Sequence, residues 1–104
     1  MSLMSEEFIS VSGNKFVSKY PIIVVGKERP LTYATEIIIR LNQGVEKIVI
    51  VSKGKNISKL AAVYNIVKSK LREVLETEGI VIGSIEATNR RLISYMAILL
   101  SRKI

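Results

Sequence analysis

Two short basic stretches in this sequence have residue types that bind phosphate. The more informative one covers residues 53–59, Lys-Gly-Lys-Asn-Ile-Ser-Lys, and it lies between a β-branched run and a helical pattern. Unpaired backbone N–H groups and the positive end of the helix dipole gather where a helix begins, and lysines add full charges there. The candidate contact residues are Lys53, Lys55, Asn56 and Lys59. The stretch lacks the glycine spacing of a P-loop, so it predicts a phosphate contact, with a solvated lysine-rich turn as the simpler alternative.

The second basic stretch, residues 26–29, reads Gly-Lys-Glu-Arg and supplies Lys27 and Arg29. It follows one β-branched run, just as residues 53–59 follow the next. If the two strands are parallel, both loops lie at the same edge of the sheet and form one basic patch. The alternative is ordinary surface charge, with Glu28 neutralising part of it.

A third basic position is Arg90 and Arg91, which lie between two strand-like runs at the tip of a predicted hairpin. Arginines on a projecting β-ribbon can enter a nucleic-acid groove or hold phosphates. The signal is weak on its own, because arginines in hairpin turns also serve solubility.

The composition argues against an enzyme. The chain has 104 residues and a net charge of +7, which attracts polyanions such as nucleic acid. It has no histidine and no cysteine, and all nine acidic residues are glutamates. These absences exclude histidine-based triads, disulfides, zinc ribbons and histidine metal sites, and no cofactor and no metal are expected. The longest apolar run near the C-terminus is far below the roughly 20 residues of a membrane span, and we expect a cytoplasmic protein.

Hydrophobic spacing predicts an α/β fold with the order βαβαββ. Pro30 is placed to begin the first helix, and Gly44 to end it in a left-handed conformation. Asn56 is the predicted N-cap of the second helix, and Gly79 its stop. The predicted strands cover residues 20–25, 47–52, 80–87 and 92–100. They should form one mixed four-stranded sheet with both helices on one face.

The first 19 residues show no sustained hydrophobic period, so we interpret residues 1–19 as a flexible leader. Met1-Ser2-Leu3 before Met4 suggests an expression-vector remnant. Residues 20–104 are then the single folded domain.

Several motifs together resemble the Alba family of archaeal chromatin proteins. The resemblance covers about residues 20–104, and its most specific parts are the Asn-Gln-Gly helix end and the Gly-basic-x-Ile-Ser-Lys start of the second helix. The matching segments are Val24-Val25-Gly26-Lys27, Pro30, Tyr33, Leu41-Asn42-Gln43-Gly44-Val45, Ile48-Val49-Ile50, Gly54-Lys55-Asn56-Ile57-Ser58-Lys59 and Arg91-Leu92-Ile93-Ser94-Tyr95.

The resemblance implies a fold similar to the C-terminal domain of translation initiation factor three. It also implies a homodimer, or a heterodimer with a paralogue, that binds double-stranded DNA and RNA with little sequence preference and is associated with the nucleoid. By resemblance, Lys27 takes the place of a nucleic-acid-binding lysine that can be acetylated. Lys53 and Lys55 match basic residues around the glycine before the second helix, and Arg90 and Arg91 match the basic hairpin arm.

Three features depart from the family pattern. The double-lysine loop is here Lys-Glu-Arg, one residue longer; the final hairpin is several residues shorter; and the leader is longer. The short hairpin favours an alternative in which RNA is the main partner, as for an RNA chaperone or a ribonucleoprotein subunit. An enzyme acting on a phosphorylated small molecule at the same sheet edge is a distant third hypothesis.

Overall fold

A computed structural model describes residues 8–87 and 89–103 of the chain. A small antiparallel hairpin comes first, followed by a βαβαββ domain. The elements are β1 (Ser10–Ser12), β2 (Lys15–Val17), β3 (Ile22–Val24), α1 (Pro30–Asn42), β4 (Lys47–Lys53), α2 (Ile57–Leu71), β5 (Leu75–Glu86) and β6 (Leu92–Arg102). Short 3₁₀ turns, Gly54–Asn56 and Arg72–Val74, flank α2.

The four strands of the βαβαββ domain form one mixed sheet in the order β3-β4-β6-β5. Strands β3 and β4 are parallel, and the two other pairings are antiparallel. Alternate residues of β4 point to opposite faces, as the two-residue period of a strand requires. Ile48 and Ile50 pack with the helices, whereas Val49 and Val51 belong to the core on the other face. The predicted fold class is confirmed, with both helices on one face of the sheet.

The second face of the sheet is covered by the β1–β2 hairpin, which sequence reasoning did not find. Phe8 and Ile9 are buried in the core of that face, and Phe16 packs against it. The Phe16 and Tyr95 rings meet edge to face, with centroids 5.1 Å apart. The expected flexible leader is therefore corrected over residues 8–19. The hairpin strands have three residues each, too short for a detectable period, and residues 1–7 lie outside the described part of the chain.

Helix α1 begins and ends where local signals place it. Pro30 occupies the first turn, where its missing N–H costs no helical hydrogen bond. At the other end, Gly44 has φ of +106°. The Val45 N–H donates to the Arg40 carbonyl at 3.1 Å, the long-range bond of a Schellman ending. This local geometry confirms the predicted helix end.

The end of α2 is a correction to the sequence interpretation. The helix stops at Leu71 and β5 begins at Leu75, so Gly79 lies inside a strand rather than at a helix end. Arg72 adopts φ of +49° and turns the chain into β5. Leu75 pairs with Arg102 at the far end of β6. Pairing along the whole length of β6 thus prevails over the local helical pattern.

Candidate nucleic-acid interface

The parallel pairing of β3 and β4 brings the two basic loops together. Val24 pairs with Val51, and the Val25 N–H donates to the Val51 carbonyl at 2.8 Å. Both strands end at this edge of the sheet, so residues 26–29 and 53–56 leave it side by side. The structure therefore brings together the two loops that the sequence analysis expected at one edge.

The loop after β3 is held by Tyr33, from the first turns of α1. Its hydroxyl accepts hydrogen bonds from the backbone N–H groups of Gly26 and Glu28, each at 3.0 Å. Sequence reasoning assigned no role to Tyr33, because nothing local indicates that its hydroxyl turns back onto the preceding loop.

Lys59 connects the two loops. Its ammonium donates to the Gly26 carbonyl at 2.5 Å, from a half-buried position in the first turn of α2. The sequence analysis placed Lys59 among the phosphate contacts. One of its three N–H donors is used within the protein, and the other two stay available to a phosphate.

The start of α2 needs glycine for two reasons. Gly54 has φ of +58°, and a Cβ added to it would lie 3.3 Å from Cγ2 of Ile93 on β6. The 3₁₀ turn that follows leads directly into α2. The Asn56 side chain makes no capping hydrogen bond, so its predicted N-cap role is corrected. Its αR backbone is already helical, whereas a side-chain cap needs an extended residue before the helix.

The β5–β6 hairpin extends past these loops at the same end of the sheet. Lys53, the last residue of β4, pairs with Tyr95, whereas β6 begins at Leu92. Three residues of strand correspond to a projection of about 10 Å. The Ala87 N–H donates to the Arg91 carbonyl at 2.8 Å and closes the turn. Arg90 has φ of +66°; Thr88, which lies between the predicted strands 80–87 and 92–100, is outside the described residues.

Six exposed cations thus lie at one end of the molecule, on two loops and a hairpin tip. We call this set the basic rim: Lys27, Arg29, Lys53, Lys55, Arg90 and Arg91. Across the described residues the ion pairs are Arg40–Glu36 and Lys47–Glu78, so none neutralises a rim cation. A concentration of unneutralised cations is an electrostatic attractor for phosphate chains.

The rim has neighbours that sequence reasoning missed. Asn14 and Lys15, at the turn of the β1–β2 hairpin, line a groove together with Lys53. No periodicity or motif in the first 19 residues could have placed them there. In the described part of the chain, no helix is long and apolar enough to cross a membrane.

Comparison with known proteins agrees with this fold. The Alba family model matches residues 21–88. "DNA/RNA-binding protein Alba 2" of Saccharolobus solfataricus is 33% identical over 81 residues, covering 77% of this chain and 90% of the relative. Its namesake in Saccharolobus shibatae has the same identity and coverage. These relatives are named as nucleic-acid-binding proteins and not as enzymes.

Solved structures give the same result. Alba from Thermoplasma volcanium superposes with a TM-score of 0.68 at 30% identity, covering 78% of this chain and 99% of that one. ALBA1 from Trypanosoma brucei superposes with a TM-score of 0.70 at 11% identity, covering 83% and 72%. The second likeness concerns the fold alone. Both alignments leave part of this chain uncovered.

Proposed function

Since this chain belongs to the Alba family, we propose that it binds DNA and RNA through the basic rim, with little dependence on sequence. The convergence of six unneutralised cations from three separate segments carries this proposal. The names of the two Saccharolobus relatives support it, because both are called DNA/RNA-binding proteins.

Phosphate contacts dominate the proposed binding mode. Lysine and arginine side chains on loops neutralise phosphates and release counterions, and neither step depends on base sequence. Lys27 is exposed on the loop held by Tyr33, which suits it for acetylation. Acetylation would remove one rim charge and weaken binding. The proposed role is to pack chromosomal DNA in the cytoplasm.

A homodimer fits the apolar surface of the β5–β6 hairpin. Ile80, Ile82 and Leu92 are 59%, 70% and 74% exposed. Ile80 and Ile82 pair with Ile98 and Met96, which pack on the helix side of the sheet, so they share that face. An exposed apolar surface of this kind typically marks a protein interface. A two-fold dimer, or a heterodimer with a paralogue, would cover it and present two basic rims to one nucleic acid.

The salt dependence of binding tests the proposal. We expect the logarithm of affinity for a duplex of scrambled sequence to fall linearly with the logarithm of salt concentration. Removing one rim cation, as in Lys27→Ala or Lys55→Ala, should lower that slope by about one. Lys103→Ala is the matched control, because Lys103 lies at the opposite end of β6. Salt-independent binding, or equal effects of all three substitutions, would refute the rim.

A second candidate function makes RNA the main partner, and the tight turn of the hairpin arm favours it. The arm closes through short hydrogen bonds between Ala87 and both Arg90 and Arg91, which limits how deeply it can enter a narrow groove. Exchanging both arginines for alanine should change the ratio of DNA-duplex to RNA-duplex affinity, since the two minor grooves differ in width. An unchanged ratio would leave the arm with a solubility role only.

A further inference from the structure

We propose that the groove between the β1–β2 turn and strand β3 binds one unpaired nucleotide of a single-stranded nucleic acid. The inference rests on the proposed function and adds a second kind of contact to it. The groove has a volume of about 390 Å³, near the lower end of the range of roughly 300–1,000 Å³ typical of small-ligand sites. Its lining residues are Asn14, Lys15, Phe16, Ile22, Val24 and Lys53.

The floor of the groove is apolar and open to solvent. Val24 is 50% exposed although it lies in a strand. Val24 and Ile22 pair with Val51 and Val49 and so share the hairpin-side face of the sheet. The half-buried Phe16 ring stands beside them, fixed edge-on against Tyr95. Apolar and aromatic surfaces of this kind contact the faces of unstacked bases.

The polar groups around this floor suit the rest of a nucleotide. Lys15 and Lys53 approach the groove from the hairpin and from the end of β4, and neither forms an ion pair with any described residue. Both ammonium groups are therefore available to donate to a phosphate. Asn14 adds an amide that both donates and accepts, which matches the polar edge of a base. Because Lys53 also belongs to the basic rim, the groove continues the same electrostatic surface.

A duplex cannot use this site, because base stacking covers the base faces and pairing occupies the base edges. A single strand leaves both free. The groove is also preformed, since the hairpin is anchored by buried Phe8 and by the Ser18 hydroxyl, which donates to the Phe8 carbonyl at 2.6 Å. The hairpin precedes the segment matched by the family model, residues 21–88, so three of the lining residues, Asn14, Lys15 and Phe16, lie outside that segment.

Substitution of the groove floor gives the sharpest test. We would measure fluorescence anisotropy with a labelled 15-nucleotide deoxythymidine strand and with a blunt DNA duplex of scrambled sequence. Val24→Ser leaves the charge unchanged, and we expect it to weaken single-strand binding about fivefold to tenfold, as the loss of one base contact implies. Duplex affinity should stay within about twofold. Val17→Ser is the matched control, because Val17 is 48% exposed but lies outside the groove.

A second pair of variants tests the cation without altering the strand β3. Lys15→Ala should weaken single-strand binding more than duplex binding. Lys19→Ala removes the same charge from the same segment, but Lys19 lies over the Tyr20 ring and outside the groove. It should not change the ratio of the two affinities.

The outcomes separate this inference from the function on which it rests. Selective loss of single-strand affinity in Val24→Ser and Lys15→Ala supports the groove. Equal loss for both nucleic acids, or no loss in a protein that still binds the duplex, overturns the groove and leaves the basic rim standing. If the unmodified protein binds neither nucleic acid, the proposed function fails and this inference fails with it.

Discussion

At the scale of single residues, the loop of the basic rim depends on side chains that carry no rim charge. Tyr33 accepts two backbone hydrogen bonds, and Lys59 holds the carbonyl of the same glycine. These contacts fix the backbone on both sides of the exposed Lys27 and so determine its position. The loop is thus set in place before any ligand arrives, which reduces the ordering cost of binding.

The first residue-scale prediction concerns Tyr33→Phe. The substitution leaves two backbone N–H groups without their acceptor, so we expect the free energy of unfolding to fall by about 1–2 kcal/mol. Rim affinity should fall as well. Urea unfolding measures the first effect, and duplex binding the second. Tyr64→Phe is the control, because among the described residues the Tyr64 hydroxyl makes one hydrogen bond, an exposed one to Thr77 at 2.8 Å. Equal destabilisation by both substitutions would contradict the role of Tyr33.

The second residue-scale prediction is that the free energy of unfolding depends on pH through the carboxyl group of Glu78. Hydrogen bonds from the Ser101 hydroxyl and then from Lys47 hold the pKa of Glu78 below its ordinary value of 4.5. The hydrogen bond to Glu78 in turn raises the pKa of Lys47 above 10.5. A lowered glutamate pKa stabilises the fold above 4.5, and the stabilisation is lost as the pH falls through the folded-state pKa.

Glu78→Gln should therefore be less stable than the unmodified protein at pH 7. The difference should shrink as the pH falls below 4.5 and vanish in strong acid, because the wild-type carboxyl is then protonated. At pH values between the ordinary pKa of glutamate, 4.5, and that of lysine, 10.5, the difference in the free energy of unfolding should stay constant. Urea unfolding at several pH values checks this, with Glu76→Gln, exposed and outside the ion pairs of the described residues, as the control. A pH-independent difference would contradict it.

At the scale of elements, the β1–β2 hairpin depends on the sheet. An isolated two-stranded hairpin is marginal in water, and this one has only three residues in each strand. Contacts with the sheet hold it in place: Phe16 packs edge to face on Tyr95, and a Cβ added to Gly79 would lie 3.0 Å from the ring of Phe8, just before β1. A Cβ added to Gly83 would likewise lie 2.9 Å from the Tyr95 ring. The bare glycine backbones therefore leave room for the aromatic side chains on this face.

The element-scale prediction is that Phe16→Ala loosens the hairpin. Full burial of a phenylalanine implies a loss of about 3–5 kcal/mol, and since Phe16 is partly exposed we expect about 1–3 kcal/mol. Amide hydrogen exchange should speed up first in residues 10–17. Val17→Ala lies on the exposed side of the same strand and should change stability little. Unchanged exchange in Phe16→Ala would show that the ring does not hold the hairpin.

At the scale of the whole molecule, the proposed dimer has its interface on the helix-side surface of β5 and β6. We expect light scattering at micromolar concentration to give twice the protomer mass of 11.6 kDa. Ile82→Glu places a charge in the proposed interface, where its burial without a partner is costly, and should yield monomers. Val17→Glu, on the hairpin, should remain dimeric. A wild-type mass of one protomer would refute the dimer.

Loss of the dimer would also affect binding, because two rims on one particle act as a linked pair. Ile82→Glu should therefore weaken binding to a long duplex more than binding to a duplex too short to reach both rims. Equal weakening on both lengths would show that each rim binds by itself.

Features that depend on neighbouring residues could be predicted from the sequence. Pro30 and Gly44 bound α1 because their backbone preferences act within one turn. The β-branched runs predicted β3 and β4, and parallel pairing through the intervening helix then predicted that the two basic loops would lie at one edge. The fold class and most of the basic rim follow from such signals.

Features that depend on distant partners were decided only by the tertiary structure. Strand β5 begins at Leu75 because β6 offers it a partner there, although the local pattern continues the helix. Lys59 hydrogen-bonds to the carbonyl of Gly26, a residue 33 positions earlier, and so helps to hold a loop that is distant in sequence. The hairpin forms because an apolar sheet face needs a cover, and burial on that face offsets the weakness of three-residue strands. Each of these contacts joins residues that are far apart in sequence, so a pattern within one segment cannot predict it.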